Sequence, residues 1–510
     1  MAALFLLAGT DHLALDAEMP KQSARVVTYT IHAKLVPESQ TVLGKMEIVW
    51  RNTSSTPVGE LYFHLYLNAF RDRESTFMKE GQGRGRSRSN WDEDHPGSVE
   101  IGSMKTSDGR ELWNDESRAF VAPDDGNDKD RTLARVTLPS PVAPDETVHL
   151  AVEFTSELPR VFRRTGWSGD PDKPDSLFFM LAQWYPKLAV LRSREGKPAE
   201  WNRHQYHANT EFFAEYGVFQ VHITVPEGFV VGATGVRTNS VSNGDGTVTH
   251  VHKQEDVHDF AWCASPGFIS REYEWEFDTF CNDADNAGVA FGDGPTMGQK
   301  IRKVLADTAA RLGKELDDVK PEGKVTIKIL VQRDHADLID RFQWAAGASI
   351  ACYGIWFGAY PYKVLTVMAP PNGGGAAGGM EYPTLITVWG NRLAPWYSTG
   401  MEGVTIHEFG HQYFYGLLGS NEFEEAWLDE GFTSFSDARC FEVAYGPNRT
   451  WLNYGNFTTP HTRPFDPPAV FPRFKRLLRL DSWLGQIPAP WKEPKTIVPD
   501  PGGSPFFDYV

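Results

Sequence analysis

The stretch Ile406–Gly431, IHEFGHQYFYGLLGSNEFEEAWLDEG, holds two histidines four residues apart, a glutamate between them, and two acidic residues just before its last glycine. On a helix, positions four apart lie one turn above each other on the same face, so His407 and His411 can offer two ring nitrogens to one ion. Glu408 lies next to that face, where its carboxylate can reach a water on the ion without ligating it. A catalytic zinc site needs a third protein ligand and a fourth position left open, and Glu430 can supply the third. Gly416 and Gly419 can end the first helix, and Ser420 or Asn421 can cap a second. Trp427, Leu428, Phe432, Phe435 and Ala438 recur at helical spacing. That stripe predicts a second helix packed back on the first, with Glu430 turned toward the ion.

The competing reading is an amphipathic helical hairpin that happens to contain histidines. A His-Glu-x-x-His pentapeptide arises from composition in about one chain in thirty of this length, and a glutamate at one fixed later spacing cuts that roughly fifteenfold. A metzincin site is excluded, because Phe414 and Leu417 stand where that motif has glycine and a third histidine.

The rest of the chain sets bounds. Its 510 residues are too many for one compact core, so two or three domains are expected, and 41% apolar with 13% aromatic residues is a globular composition. A formal charge of −17 argues against a nucleic-acid partner, which needs clustered positive charge. Cys263, Cys281, Cys352 and Cys440 are scattered and form no CxxC pair, so they read as buried apolar residues. The only long apolar run, MAALFLLAG at the start, is about half a membrane span. Residues 1–25 therefore read as a signal remnant or a disordered end, and a secreted, periplasmic or cytoplasmic location stays open.

From Val26 onward the pattern is β. In YTIHAKL, Tyr29, Ile31, Ala33 and Leu35 alternate with polar residues, and KMEIVW continues after Gly44 as the second arm of a hairpin. LYFHLYL, RTLARVTL, TVHLAVEF, VFQVHITV and VTIKILV follow, separated by turn residues, which predicts an N-terminal all-β domain over 26–332. The segment Arg71–Asp94, polar and rich in Gly, Ser and Arg, reads as a solvated loop. After Asp334, HADLIDRFQWAAGASIACYGIWFG has helical spacing, and KVLTVMAP and TLITVWG read as strands. PNGGGAAGGM is a glycine loop without the Lys-Ser/Thr of a phosphate-binding loop. This predicts an α+β domain over 333–510.

With the spacing in hand, the chain resembles the gluzincin aminopeptidases of the membrane alanyl aminopeptidase type, metallopeptidase family one. His407-Glu408-x-x-His411 with Glu430 in WLDEGF carries the resemblance, and GGMEYP (Gly378–Pro383) is similar to that family's Gly-x-Met-Glu-Asn element, with Tyr382 at the usual Asn. FGAYPY, VHDFAW and YTIHAKLVPESQTVLGKMEIVWRN add to it, so it spans about Val26 to Tyr445. It implies an N-terminal β saddle followed by a thermolysin-like catalytic domain, incomplete here and without the family's C-terminal helical domain. It also implies one zinc per chain and peptide substrates with a free N-terminus. Glu381 would hold the substrate ammonium and Gly379 would line its backbone; Gln183 in LAQWYP is a looser match to a second amine anchor. The family's transition-state tyrosine has only Tyr509 as a counterpart.

The expected chemistry is metal-assisted amide hydrolysis, with zinc on His407, His411 and Glu430 and Glu408 as the general base. Asp429 could orient a ligand. Two other readings stay open. One is a thermolysin-type endopeptidase, against which Glu381 argues; the other is an inactive peptidase-like binding protein, against which the intact ligand set and base argue. Preferred side chain, compartment and oligomeric state are not legible.

Overall fold

The computed structural model describes residues 21–81, 91–193, 198–289, 294–390 and 399–446. Tyr509, the first twenty residues and the tail after Gly446 lie outside them.

The first half is built on a seven-stranded sheet. Val27–Val36 lies inside it, antiparallel to Thr41–Arg51 and parallel to Gly217–Pro226. Its alternation is the one that the sequence predicts: Tyr29, Ile31, Ala33 and Leu35 are buried while His32 and Lys34 are exposed. Strands of the first half also form two four-stranded sheets, one around Val58–His64 and Leu133–Val142, the other around Phe178–Leu181 and Trp262–Ser265. Trp184 and Trp262 meet edge to face beneath them. Lys187 is buried there, its Nζ 2.8 Å from Asp259 and 2.7 Å from the Gln183 amide oxygen.

A further four-stranded sheet runs Phe268–Trp275, Val325–Gln332, Val364–Met368, Leu385–Thr387. The boundary expected at 332 cuts through this sheet, since Val325–Gln332 pairs with a strand on either side of that point. Two helices, Phe277–Asn286 and Met297–Leu312, lie between the first two strands of this sheet, before residue 332. A strand pattern in VTIKILV is the same whichever sheet the strand joins, so the sequence could not assign it. The β-rich half packs closely on this sheet: a Cβ at Gly232 would meet Leu330 Cδ1 at 2.2 Å, and Lys328 Nζ donates to the Val231 carbonyl at 3.0 Å.

The helices among the described residues are α1 (Thr76–Glu80), α2 (Phe277–Asn286), α3 (Met297–Leu312), α4 (Ile339–Phe357), α5 (Gly400–Phe414), α6 (Glu422–Glu425) and α7 (Trp427–Tyr445). The first corrects the expected solvated loop over 71–94: Phe77 and Met78 give that segment apolar side chains to bury, while residues 82–90 lie outside the described ones. A capping box starts α3 at Thr296 and Gly313 ends it in the left-handed region. Asn421 caps α6, accepting from the backbone of Phe423 and Glu424, so the expected second helix begins as a short turn before α7. No helix among the described residues is long and apolar enough to cross a membrane.

Helix α7 packs back on α5 with Glu430 turned toward the histidines, as expected, but the apolar stripe is not what buries it: Trp427, Phe432 and Phe435 are exposed, with Phe432 stacked on Phe414 of α5, and the buried face carries Asp429, Glu430, Thr433, Ser436 and Cys440. The polar face turns inward because its side chains are bonded to the histidines of α5.

Candidate metal centre and its surroundings

Helix α5 lies between α4 and α7, and Gly410 permits the approach. A Cβ there would sit 2.6 Å from Tyr353 Oη on α4 and 2.8 Å from Thr433 Cγ2 on α7. One turn of α5 thus brings both histidines against the inner face of α7. His407 Nε2 and His411 Nε2 are 3.1 Å apart, and Glu430 Oε2 lies 3.4 Å from the first and 3.8 Å from the second. Three donors held about 2.0–2.1 Å from one ion in tetrahedral geometry stand roughly 3.3 Å apart. The observed triangle brackets that value.

The other ring nitrogens support the same assignment. His407 Nδ1 lies 2.7 Å from Asp437 Oδ2, and His411 Nδ1 lies 2.6 Å from Asp429 Oδ1. Carboxylates accept, so both rings carry a proton on Nδ1, which leaves Nε2 of each facing Glu430 as the atom available to a cation. Two Nε2–H groups could not face each other at 3.1 Å. Burial opposes charge on both rings. It is outweighed at His407 by Asp437 and Glu430, and at His411 by Asp429, Glu381 and Glu430, which raise His411 to about 10. The pocket therefore draws positive charge to the Nε2 edge, and a divalent cation fits the donor set.

Glu408 is buried on the same turn. Burial raises its carboxyl to about 7 against the opposing pull of His407, His411 and Arg164. A carboxyl poised there can take or give a proton near neutrality.

The glycine loop lies across from it. Gly379 has φ +74°, a conformation that favours glycine, and a Cβ there would be 3.8 Å from Glu408 Oε1. The N–H groups of Gly379 and Met380 both donate to the Thr387 carbonyl, tying the loop to the edge strand. Gln412, next to His411 on α5, donates to the carbonyls of Glu381 and Tyr382 and accepts from Thr384 N. The metal helix and the loop are thereby one rigid unit. Glu381 is buried, which first of all raises its carboxyl, to about 8. Tyr382, in the place of the family's Asn, is buried with a hydroxyl that meets no partner.

The fold gathers His407, His411, Glu430, Glu408, Glu381, Gly379 and Asp429, the seven residues that the sequence singles out. Gln183 is different: its amide donates to Asp259 at 2.6 Å and accepts from Lys187, so both ends are engaged. Asp437, Gln412 and Arg164 were missed. Asp437 had a readable signal, two turns beyond Glu430 on one face of α7. Arg164 had none, since only the fold carries its backbone N–H to the Ala376 carbonyl and its guanidinium to Met380.

Comparison with known proteins finds likeness over part of the chain. Residues 346–463 match the family model of the Peptidase family M1 domain. Aminopeptidase B from Rattus norvegicus, Mus musculus and Homo sapiens is 36% identical over 75 residues, 15% of this chain. The chain spans 11% of the length of these curated relatives. An M1 zinc metallopeptidase from Deinococcus radiodurans shows 14% identity over 84% of this chain and 73% of its own, with a TM-score of 0.47. The segment 346–463, which carries His407, Glu408, His411 and Glu430, belongs to the Peptidase family M1 domain family.

Proposed function

We propose that the chain is a zinc-dependent aminopeptidase that removes N-terminal residues from peptides. The observation that carries this is the triangle of His407, His411 and Glu430 with Glu408 on the same turn and Glu381 on the facing loop. His407, His411 and Glu430 hold one zinc per chain, oriented by Asp437 and Asp429. Zinc, when bound, supplies Lewis acidity that makes water a nucleophile near neutral pH. Glu408 accepts the proton of the attacking water and returns it to the departing amine. Glu381 takes the substrate's free ammonium, and Gly379 leaves room for the substrate backbone beside Glu408. We place the start of the zinc-bearing domain near residue 267, where the sheet that includes Val325–Gln332 begins.

The test pairs metal analysis with kinetics. Glu430→Ala should lose zinc, whereas Glu408→Gln should keep it while kcat falls by at least ~100-fold, the loss typical of a missing general base. For Glu381→Ala, loss of a charge-assisted contact of about 1.5–3 kcal/mol predicts a roughly ten- to hundredfold drop in kcat/KM on a free-amino peptide. The same peptide acetylated at its N-terminus should be poor with the native protein. Equal rates on the two peptides would leave a thermolysin-type endopeptidase as the reading.

A further inference from the structure

Along the chain, the short helix α6 lies between the two histidines and the third ligand, and the β-rich half grips it by one side chain. Glu424 receives both arms of Arg192, Nη1 on Oε2 at 2.9 Å and Nη2 on Oε1 at 2.6 Å. The Asn202 amide donates to the same Oε1 at 2.9 Å, and His204 Nε2 lies 3.2 Å from it. Phe423 stacks on the His204 ring, centroids 4.3 Å apart. His204 Nδ1 lies 2.8 Å from one Asp124 oxygen; the other Asp124 oxygen meets His207 Nε2 at 3.0 Å, and His207 Nδ1 meets Glu80 at 2.7 Å. Ionised carboxylates only accept, so a ring set between two of them carries both protons and is an imidazolium. The contact is a row of alternating charges that ends on α6.

Backbone carries the grip onward. Ala426 has helical dihedrals, φ −50° and ψ −28°, and its carbonyl accepts from the N–H groups of Asp429 and Glu430. Glu424 and Glu430 therefore stand on one stiff path. The far end of the segment is held too: Tyr216 Oη donates to the Gly416 carbonyl at 2.9 Å, and a Cβ at Gly419 would stand 2.6 Å from the Tyr216 ring.

We propose that Glu424 is a positioning residue for Glu430, and that Arg192, Asn202 and His204 set the place of that metal ligand through it. The proposal rests on the assignment of Glu430 as a zinc ligand. A bidentate Arg–carboxylate pair fixes direction as well as distance, which an ordinary exposed ion pair does not. Glu430 Oε2 stands 3.4 and 3.8 Å from the two histidine nitrogens, so a small shift of α6 alters the metal geometry before it alters the fold.

The experiment uses the full chain and measures zinc affinity by competition with a chelator. Visible absorption of cobalt(II) in place of zinc reports ligand geometry, and the melting temperature of the metal-free protein is read alongside. Glu424→Gln and Arg192→Met should each weaken zinc by about tenfold and shift the cobalt bands. The double variant should be no weaker than either single one, since both act through one contact. Arg192→Lys, which keeps the charge and loses the fork, should fall in between. Burial opposes charge on His204, but Asp124 and Glu424 outweigh it and raise its pKa. Its contact is thus complete below the free value of 6.5 and lost as pH climbs through the raised one. The zinc deficit of His204→Gln should accordingly shrink as pH rises. Zinc affinity within twofold of native and unmoved cobalt bands in Glu424→Gln, whatever its melting temperature, make the pair merely structural and overturn the proposal. Additive losses in the double variant, or a His204→Gln deficit that does not change with pH, overturn the route through the β-rich half. Full zinc content in Glu430→Ala instead overturns the ligand assignment beneath it.

Discussion

Replacing Gly410 by alanine tests whether the closeness of three helices sets the metal geometry. The new methyl would stand 2.6 Å from Tyr353 Oη and 2.8 Å from Thr433 Cγ2. Carbon–carbon contacts relax at about 3.5–4.0 Å, so α5 and α7 must part by roughly 0.8 Å. Overpacking of this kind costs about 1–3 kcal/mol, and the better helix propensity of alanine returns about 1, leaving a net loss of up to ~2 kcal/mol. The geometric effect is larger. Glu430 Oε2 is already 3.8 Å from His411 Nε2. A further 0.8 Å would take that pair to about 4.6 Å, where tetrahedral zinc wants roughly 3.3 Å. Zinc affinity, measured by competition with a chelator, should fall at least tenfold, with a lower melting temperature for the metal-free protein. Gly431→Ala is the control: nothing lies within 4 Å of its Cβ position, so it should be neutral or slightly stabilising. Gly410→Ala protein that binds zinc within twofold of native and melts unchanged would refute the argument that this glycine brings the ligands together.

Other outcomes follow from single features. Gly379→Ala should lose only about 1–2 kcal/mol of stability from its left-handed backbone, yet kcat/KM should drop at least tenfold because the methyl sits beside Glu408; unimpaired kinetics would show that the substrate does not pass there. Lys187→Met should lower the chemical unfolding midpoint by the equivalent of about 3–5 kcal/mol by stranding Asp259, and Lys187→Met/Asp259→Asn should recover much of it; no recovery would show that the loss is not one of charge. Burial opposes charge on His207, but its bonds to Asp124 and Glu80 prevail and raise it to about 10. Its raised folded pKa stabilises fully below the free value near 6.5, and that contribution is lost as pH rises toward 10. Melting temperature against pH should therefore slope down over that window in the native chain and be flatter in His207→Gln; parallel slopes would rule the tether out.

By itself, the sequence determined the local parts. Alternation in YTIHAKL required a half-buried strand, and that strand forms with the predicted faces. The four-residue spacing of His407 and His411 required one helical face, because helical periodicity is a property of the backbone and needs no partner. A glutamate downstream and the glycine loop upstream then named the site. Tertiary structure decided what periodicity cannot carry. Val325–Gln332 joined the sheet of the zinc-bearing region, since pairing partners lie far off in sequence. The apolar stripe of α7 turned outward, because hydrogen bonds from His407 to Asp437 and from His411 to Asp429 set that helix's rotation more strongly than Trp427 and Phe435 could. Arg164 reached the glycine loop from a segment without any motif. Its importance lies in charge and distance across the fold, and a linear sequence records neither.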